Sequence, residues 1–136
     1  MSNVLFKVVR EKPHMLANIE AEEGVYYSLS FSGCIKYEIG AVSKARIGRL
    51  FCFNSLENAV KFRDLLRQDG IVILEVEPIG TIRWAHWIAT VASSLSKFWS
   101  QFPNHKDTAG LAPSPVGTMV VPAVKPRRIA WTVTTG

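Results

Sequence analysis

The chain has 136 residues, of which 48% are hydrophobic and 20% are charged, and its formal net charge is +5. This length and balance are typical of one globular domain with its own core, and they argue against a disordered chain. No run of residues is long and apolar enough to span a bilayer, and the charged, alternating N-terminus is unlike a signal peptide. We therefore expect a cytoplasmic protein that is not secreted.

The net charge lies in the C-terminal part of the sequence. Up to Pro78 there are ten Lys or Arg and ten Asp or Glu residues, whereas after Pro78 six basic residues stand against Asp107 alone. Such asymmetry can mark a surface for nucleic acid, a membrane or an acidic partner. A solvated face would give the same asymmetry, because the six charges are widely spaced.

The first part of the chain has the pattern of β-strands. Residues 3–10 are β-branched and aromatic with no helix cap, and residues 25–31 and 35–39 alternate apolar with polar side chains. Between the first two of these segments, residues 12–23 form one helical turn or a loop. The sequence therefore predicts three early strands.

The centre of the chain is its best-specified unit. A strand over 47–53 leads to a helix with Asn54 as N-cap and Glu57 at the N3 position of a capping box. The helix has about fifteen residues and ends at Gly70, which suits a left-handed C-terminal position. A strand up to Glu77 follows. The unit predicts either a right-handed parallel crossover or a strand pair covered by the helix.

The remaining sequence divides at residue 102. Apolar side chains recur at steps of three and four over 81–102, which predicts a long aromatic amphipathic helix. Residues 103–136 contain several prolines and have the pattern of a loop and an extended arm. We expect a compact domain over 1–102 and an arm over 103–136 that packs on this domain or on a neighbour. The predicted fold is α+β: a small mixed or antiparallel sheet of about five to six strands, packed by two helices, with an extended proline-rich C-terminal arm.

A resemblance runs through four segments. Ile39-Gly40, residues 47–62, the strand that ends in Glu-Val-Glu and residues 117–126 together resemble a group of small phage and prokaryotic proteins with no established activity. The resemblance covers about residues 25–128. It implies a compact α+β unit and a viral source, and it supplies no catalytic residue.

One arrangement of polar residues points to an enzyme. Arg10 on an early strand, Ser28-Leu-Ser30 on a middle strand and Glu75-Val-Glu77 on a late strand occur in the order that resembles ADP-ribosyltransferases. The resemblance implies glutamates that hold a ribose hydroxyl and stabilise an oxocarbenium-like state, and an arginine that holds phosphate. Solvent-facing residues on alternating strands would give the same pattern.

Signals for cofactors and metals are missing from the sequence. It has no phosphate-binding glycine loop, and His14, His86 and His105 are far apart, without CxxC, HxH or HExxH motifs. We expect no cofactor and no metal. For Cys34 and Cys52, buried thiols in a reducing compartment are favoured over a disulfide. Cys52 in an apolar strand should be inert, and Cys34 beside a turn should be the more reactive thiol.

The aromatic segment allows three interpretations: packing on its own sheet, a partner or oligomer interface, and a peripheral membrane contact. Trp and Arg are frequent anchors of protein interfaces. If the second interpretation holds, the contacts would come from the tryptophans of this segment and from the basic arm, namely Trp84, Trp87, Trp99, Arg127 and Arg128.

The sequence therefore predicts a non-enzymatic binding or assembly module, of phage or prokaryotic origin, in the host cytoplasm or the virion. Its partner would be a protein or a second copy of the chain. The first alternative is a small ADP-ribosyltransferase-like enzyme. The second is a nucleotide or nucleic-acid binder that uses its arginines, namely Arg46, Arg49, Arg63 and Arg67.

Overall fold

The structure is a computed structural model, and it describes residues 4–12, 22–29, 35–46, 48–66, 69–89, 95–106 and 110–132. Eleven strands and two helices lie in these ranges. In chain order they are β1 (Leu5–Arg10), β2 (Val25–Tyr27), β3 (Lys36–Glu38), β4 (Ser43–Lys44), β5 (Leu50–Phe53), α1 (Leu56–Leu66), β6 (Ile71–Ile79), β7 (Arg83–Trp84), β8 (Trp87–Ala89), α2 (Leu95–Gln101), β9 (Leu111–Pro113), β10 (Thr118–Val121) and β11 (Ala123–Thr132). The predicted α+β class is confirmed.

The described strands form one large sheet and one small one. Nine strands pair in the order β4-β11-β6-β1-β5-β10-β7, with β2 attached to β1 and β3 attached to β2, and β8 pairs with β9. Every pairing is antiparallel. The predicted number of five to six strands was too small. β4 and β7 have two residues each, which is too short to leave an alternating pattern in the sequence.

β1 is the central strand of the sheet. One of its edges pairs with β6 along the whole of β1. On the other edge, Phe6 lies opposite Phe53 of β5, whereas Arg10 lies opposite Tyr27 of β2. β5 and β2 therefore share this edge, and the sheet divides between them at the middle of β1.

The predicted strand–helix–strand unit is present as a crossover. β5 and β6 are both antiparallel to β1, so they run parallel to each other with β1 between them. α1 connects them and covers this part of the sheet: the Phe53 and Phe62 rings are 5.2 Å apart, and Ala59 is fully buried.

The start of α1 differs from the predicted capping box. Ser55, not Asn54, is the N-cap, because its Oγ accepts a hydrogen bond from the Asn58 N–H at 3.2 Å. The backbone N–H of Asn54 still bonds Gly117 O at 2.9 Å, which holds Asn54 to the end of the sheet and moves the helix start by one residue. Glu57 therefore falls at N2 rather than N3.

The two faces of the sheet carry separate cores. One core lies under α1 and is built around Val8, Phe53, Ala59, Ile71 and Ile73. The other face holds a larger core, which comes from alternate residues of several strands: Leu5, Val9, Tyr26, Tyr37, Leu50, Cys52, Val72, Leu74, Val76, Met119, Val121 and Val124. Burial on both faces explains the continuous apolar run at the start of β6.

The sheet curls around the larger core. β2 and β3 extend from β1, while β4 extends from β11 on the opposite side. Ser43 Oγ on β4 donates a hydrogen bond to Lys36 O on β3 at 2.8 Å, and Gly40 N–H bonds Pro126 O on β11 at 2.8 Å. These bonds bring β3 close to β4 and β11, and Tyr37 of β3 is fully buried in the larger core.

The predicted long helix over 81–102 is wrong in its first half. Residues 83–84 form β7, which pairs with β10, and residues 87–89 form β8, which pairs with β9. α2 covers only Leu95–Gln101. The first half is rich in Ile and Trp, which favour strands, and partner strands are available for it.

The predicted proline-rich arm is not seen in the described part of residues 103–136. Residues 118–121 and 123–132 form β10 and β11 inside the sheet. Pro122 lies at the junction of these strands, and Pro126 lies beside a register shift in the pairing of β11 with β6. Both prolines therefore occupy positions where a sheet tolerates the loss of an N–H donor.

Candidate functional site

The residues of the predicted catalytic set lie apart. Arg10 ends β1, and its neighbour on β6 comes four residues before Glu75, a separation of roughly 13 Å along the strand. Ser28 is buried, and its Oγ accepts a hydrogen bond from the Ile35 N–H at 3.0 Å. Ser30 lies outside the described residues. The structure therefore gives Ser28 a role in the connection between β2 and β3, and it separates the backbones of Arg10 and Glu75.

The two glutamates face basic residues on β11. Glu75 Oε1 is 3.2 Å from an Nη atom of Arg128, and the register places Glu77 opposite Lys125. Opposite charges on neighbouring strands stabilise their pairing modestly. Glu75 and Glu77 therefore have a structural role in the β6–β11 pair.

Three of the four arginines proposed for a nucleotide or nucleic acid lie in the described residues, and two of these three have contacts within the chain. Arg49 donates to Thr81 O at 3.2 Å, and Arg63 lies 4.8 Å from the ring centre of Trp131. Arg46 is exposed near β4, and Arg67 lies outside the described residues. Among Arg46, Arg49 and Arg63, Arg46 is the one for which the described residues give neither a hydrogen bond nor a ring contact.

The three tryptophans proposed for a partner differ in exposure. Trp84 lies on β7, at the end of the sheet, and 56% of its surface is exposed. Trp87 on β8 and Trp99 on α2 are half-buried. Of the three, Trp84 is therefore the one that can contribute most of its surface to an interface.

Trp99 belongs to a cluster of aromatic rings that attaches α2 to the sheet. Its indole lies 5.4 Å from the Phe51 and Phe102 rings and 4.8 Å from the Phe98 ring, edge to face. Gly48 lies directly beneath the indole, because a Cβ at this position would come within 2.1 Å of it. Trp99 is therefore used in packing.

A basic edge forms where β4 pairs with the start of β11. Five basic residues in and next to these strands are all exposed: Lys44, Arg46, Lys125, Arg127 and Arg128. Neither residues 41–46 nor residues 122–132 contain an acidic residue. The sequence prediction included Arg46, Arg127 and Arg128 but missed Lys44 and Lys125. The signal that could have found them is the absence of acidic residues from both segments.

A half-buried lysine, Lys7, lies beside a buried thiol, Cys52, on the face of the larger core. Lys7 Nζ donates to Phe51 O at 2.5 Å, at the division between β5 and β2, and lies 5.6 Å from the ring centre of Tyr37. Burial lowers the pKa of Lys7, and the nearby Cys52 opposes this shift. Burial raises the pKa of the free Cys52 thiol to about 11. The prediction that Cys52 is buried is confirmed, and Cys34 lies outside the described residues.

An apolar groove lies between α1 and the loop before β10. It has a volume of about 360 Å³ and is lined by Asn58, Lys61, Phe62, Leu65, Ser114, Pro115 and Val116. Leu65 and Val116 on its sides are 78% and 77% exposed. The groove contains one ionisable side chain, Lys61, which pairs with Glu57 at 3.4 Å. It can hold an apolar group but offers no acid–base pair.

The described ranges contain neither a metal-binding group nor a membrane-spanning helix. No group of three or more His, Cys, Asp or Glu residues in these ranges is arranged to hold a metal ion. None of the helices described is long and apolar enough to cross a membrane. No family model, curated protein or solved structure matches this chain, so its function is inferred from the geometry above.

Proposed function

We propose that this chain is a non-enzymatic binding module, of phage or prokaryotic origin, that works within an assembly in the host cytoplasm or the virion. The observation that carries the proposal is the exposure of Trp84 on β7, at the end of the nine-stranded sheet. Tryptophan is enriched among the residues that dominate binding energy at protein interfaces. A binding role therefore gives this exposed indole a use that packing does not.

The strand that carries Trp84 is itself suited to a protein partner. β7 pairs with β10 on one side, and within the described residues no strand pairs with its other side. Unpaired N–H and C=O groups on such an edge accept an additional strand. Arg83, the other residue of β7, is also exposed. The edge thus offers backbone hydrogen bonds, one aromatic anchor and one positive charge.

The described candidates for chemistry have structural contacts, which also favours binding over catalysis. Glu75 pairs with Arg128, Ser28 bonds Ile35, and the Cys52 thiol has a raised pKa. A thiol reacts as its thiolate, so a raised pKa makes it inert. The ADP-ribosyltransferase-like and nucleic-acid-binding alternatives remain predictions from the sequence.

The experiment compares the wild type with Trp84→Ala as baits for proteins of the cells that make the chain. Both baits should fold equally, as judged by circular dichroism and thermal melting, because Trp84 is largely exposed. We expect a protein that the wild type retains and Trp84→Ala loses, while Ile79→Ala, a change of another exposed apolar side chain outside the apolar groove, retains it.

Sedimentation from about 1 μM to about 100 μM then shows whether a second copy is the partner, since weak interfaces are populated in this range. The proposal is refuted if the wild type stays monomeric throughout and all three baits retain the same proteins.

A further inference from the structure

The outer side of β11 is only partly covered. β11 pairs with β6 from Ala123 to Thr132, but β4 pairs only with Ala123 and Val124. One further bond, from Gly40 N–H to Pro126 O, lies just beyond β4. Within the described residues, no strand lies on the outer side of residues 127–132. This segment is a free edge that can accept another strand.

The segments that form this edge carry only basic charges, and two of these, Lys125 and Arg128, face Glu77 and Glu75 of β6. The five exposed basic residues of the basic edge lie on β4, just after it, or on β11, and neither segment supplies an acidic residue. Arg128 is bound to Glu75 at 3.2 Å. For Lys44, Arg46 and Arg127, the described residues provide no ion pair. An interface of this kind attracts a partner of negative charge and repels a positive one.

Two apolar side chains lie among these charges. Val42 precedes β4 and is 50% exposed, and Ile129 lies on the free part of β11 and is 47% exposed. Charge alone would suit any polyanion. A free backbone edge combined with exposed apolar side chains suits an extended peptide, because such a peptide adds main-chain hydrogen bonds and side-chain contacts. A phosphate backbone offers neither apolar groups nor a strand to pair.

We propose that the edge formed by β4 and residues 127–132 of β11 binds an extended acidic segment of a partner protein, which adds to the sheet as a further strand beside β11. The acidic side chains meet Lys44, Arg127 and their neighbours, and apolar side chains of the segment contact Val42 and Ile129. This inference rests on the proposed function only in that the chain is a binding module, because Trp84 lies at the other end of the sheet.

The test uses a soluble twelve-residue peptide of alternating Glu and Val, a Gln and Val peptide of the same length, and the Glu and Val peptide methylated on alternate backbone nitrogens. Binding is measured by fluorescence anisotropy at low and high salt. We expect only the first peptide to bind well, and its binding should weaken as salt rises. The methylated peptide keeps the charge but cannot pair as a strand, so its affinity should be lower by about tenfold or more.

Variants locate the binding site. The double variant Lys44→Glu, Arg127→Glu should weaken binding of the Glu and Val peptide by about tenfold or more. The double variant Lys97→Glu, Lys106→Glu reverses two other exposed charges and changes the net charge equally, and it should leave binding unchanged. Trp84→Ala should also leave peptide binding unchanged. A failure of the proposed Trp84 interface can therefore be distinguished from a failure of the peptide site on β11. Circular dichroism confirms that each variant is folded.

Three outcomes overturn the inference. Equal binding of the methylated and unmethylated peptides would mean that charge alone is recognised. Equal weakening by the Lys97→Glu, Lys106→Glu variant would mean that net charge, and not this edge, determines binding. Tight binding of poly(U) RNA together with no binding of the Glu and Val peptide would assign the basic edge to a nucleic acid.

Discussion

Replacing Gly48 with alanine should release Trp99 from the sheet. Gly48 has a φ angle of +64°, and a Cβ there would lie 2.1 to 2.3 Å from three atoms of the indole. An L-residue in this left-handed region costs about 1–2 kcal/mol. The indole must also move away from Phe51, Phe98 and Phe102, and each aromatic pair contributes about 0.5–1.5 kcal/mol beyond its buried area. We expect a total loss of about 2–5 kcal/mol, since part of the packing can re-form.

The assay is urea denaturation followed by far-ultraviolet circular dichroism, which does not depend on tryptophan fluorescence. Gly40→Ala is the matched control, because Gly40 has a φ angle of +87° but no atom within 4 Å of a new Cβ; it should lose only the backbone contribution of about 1–2 kcal/mol. In a Trp99→Ala background, the stability cost of Gly48→Ala should fall to the cost of Gly40→Ala, so the changes at Gly48 and Trp99 should be strongly coupled. The reasoning fails if Gly48→Ala costs no more than Gly40→Ala, or costs the same in both backgrounds.

Two further predictions concern the start of α1 and the buried ionisable groups. Ser55→Ala should lower the free energy of unfolding by about 1 kcal/mol because it removes the N-cap acceptor. Glu57→Ala breaks only an exposed ion pair with Lys61 and should lower it by about 0.5 kcal/mol or less. A larger loss for Glu57→Ala than for Ser55→Ala in urea denaturation would instead support the predicted capping box of Asn54 and Glu57. Burial raises the pKa of Cys52 from 9.0 to about 11, so the stability that the protonated thiol contributes is complete below pH 9 and is lost as the pH rises towards 11. Relative to Cys52→Ala, the wild type should lose about 2 kcal/mol between about pH 8 and pH 11, and a constant difference would contradict this. Lys7 has the opposite sign, since its pKa is lowered from 10.5: relative to Lys7→Met, wild-type stability should rise as the pH approaches 10.5 and fall as the pH drops through the lowered pKa.

The part of the fold that sequence could predict is the part specified by neighbouring residues. The β5–α1–β6 unit has Gly70 in the left-handed conformation just before β6, and it has an apolar stripe on α1 that faces the sheet. Each of these signals lies within one or two helical turns of the residue that it affects. The N-cap was misplaced by one residue because Asn54 is bound to Gly117, which is more than sixty residues away along the chain. No local pattern contains that contact.

The part of the fold that the sequence does not predict depends on pairings between segments that are distant along the chain. Trp84 and Trp87 fit a helical spacing, yet β7 pairs with β10 and β8 pairs with β9. Tertiary pairing therefore overrides a local pattern that is compatible with either structure. The candidate sites follow the same rule. Arg127 was identified from the sequence because it lies in a basic segment, but Lys44 joins it only because β4 pairs with β11.

The two ends of the sheet indicate what kind of partner the chain can have. Arg83 lies on β7 at one end, and Lys44 and Arg127 lie at the other. Residues 80–89, 41–46 and 122–132 contain no acidic residue. Joining two copies through these edges, in any combination, would therefore bring like charges together, which destabilises strand pairing. Basic residues on an edge strand can have the sole role of preventing pairing with another copy. This role would not explain why the apolar side chains of Val42 and Ile129 are exposed. A partner that supplies the missing negative charge and covers these apolar side chains accounts for both features, and this favours a different protein over a second copy of the chain.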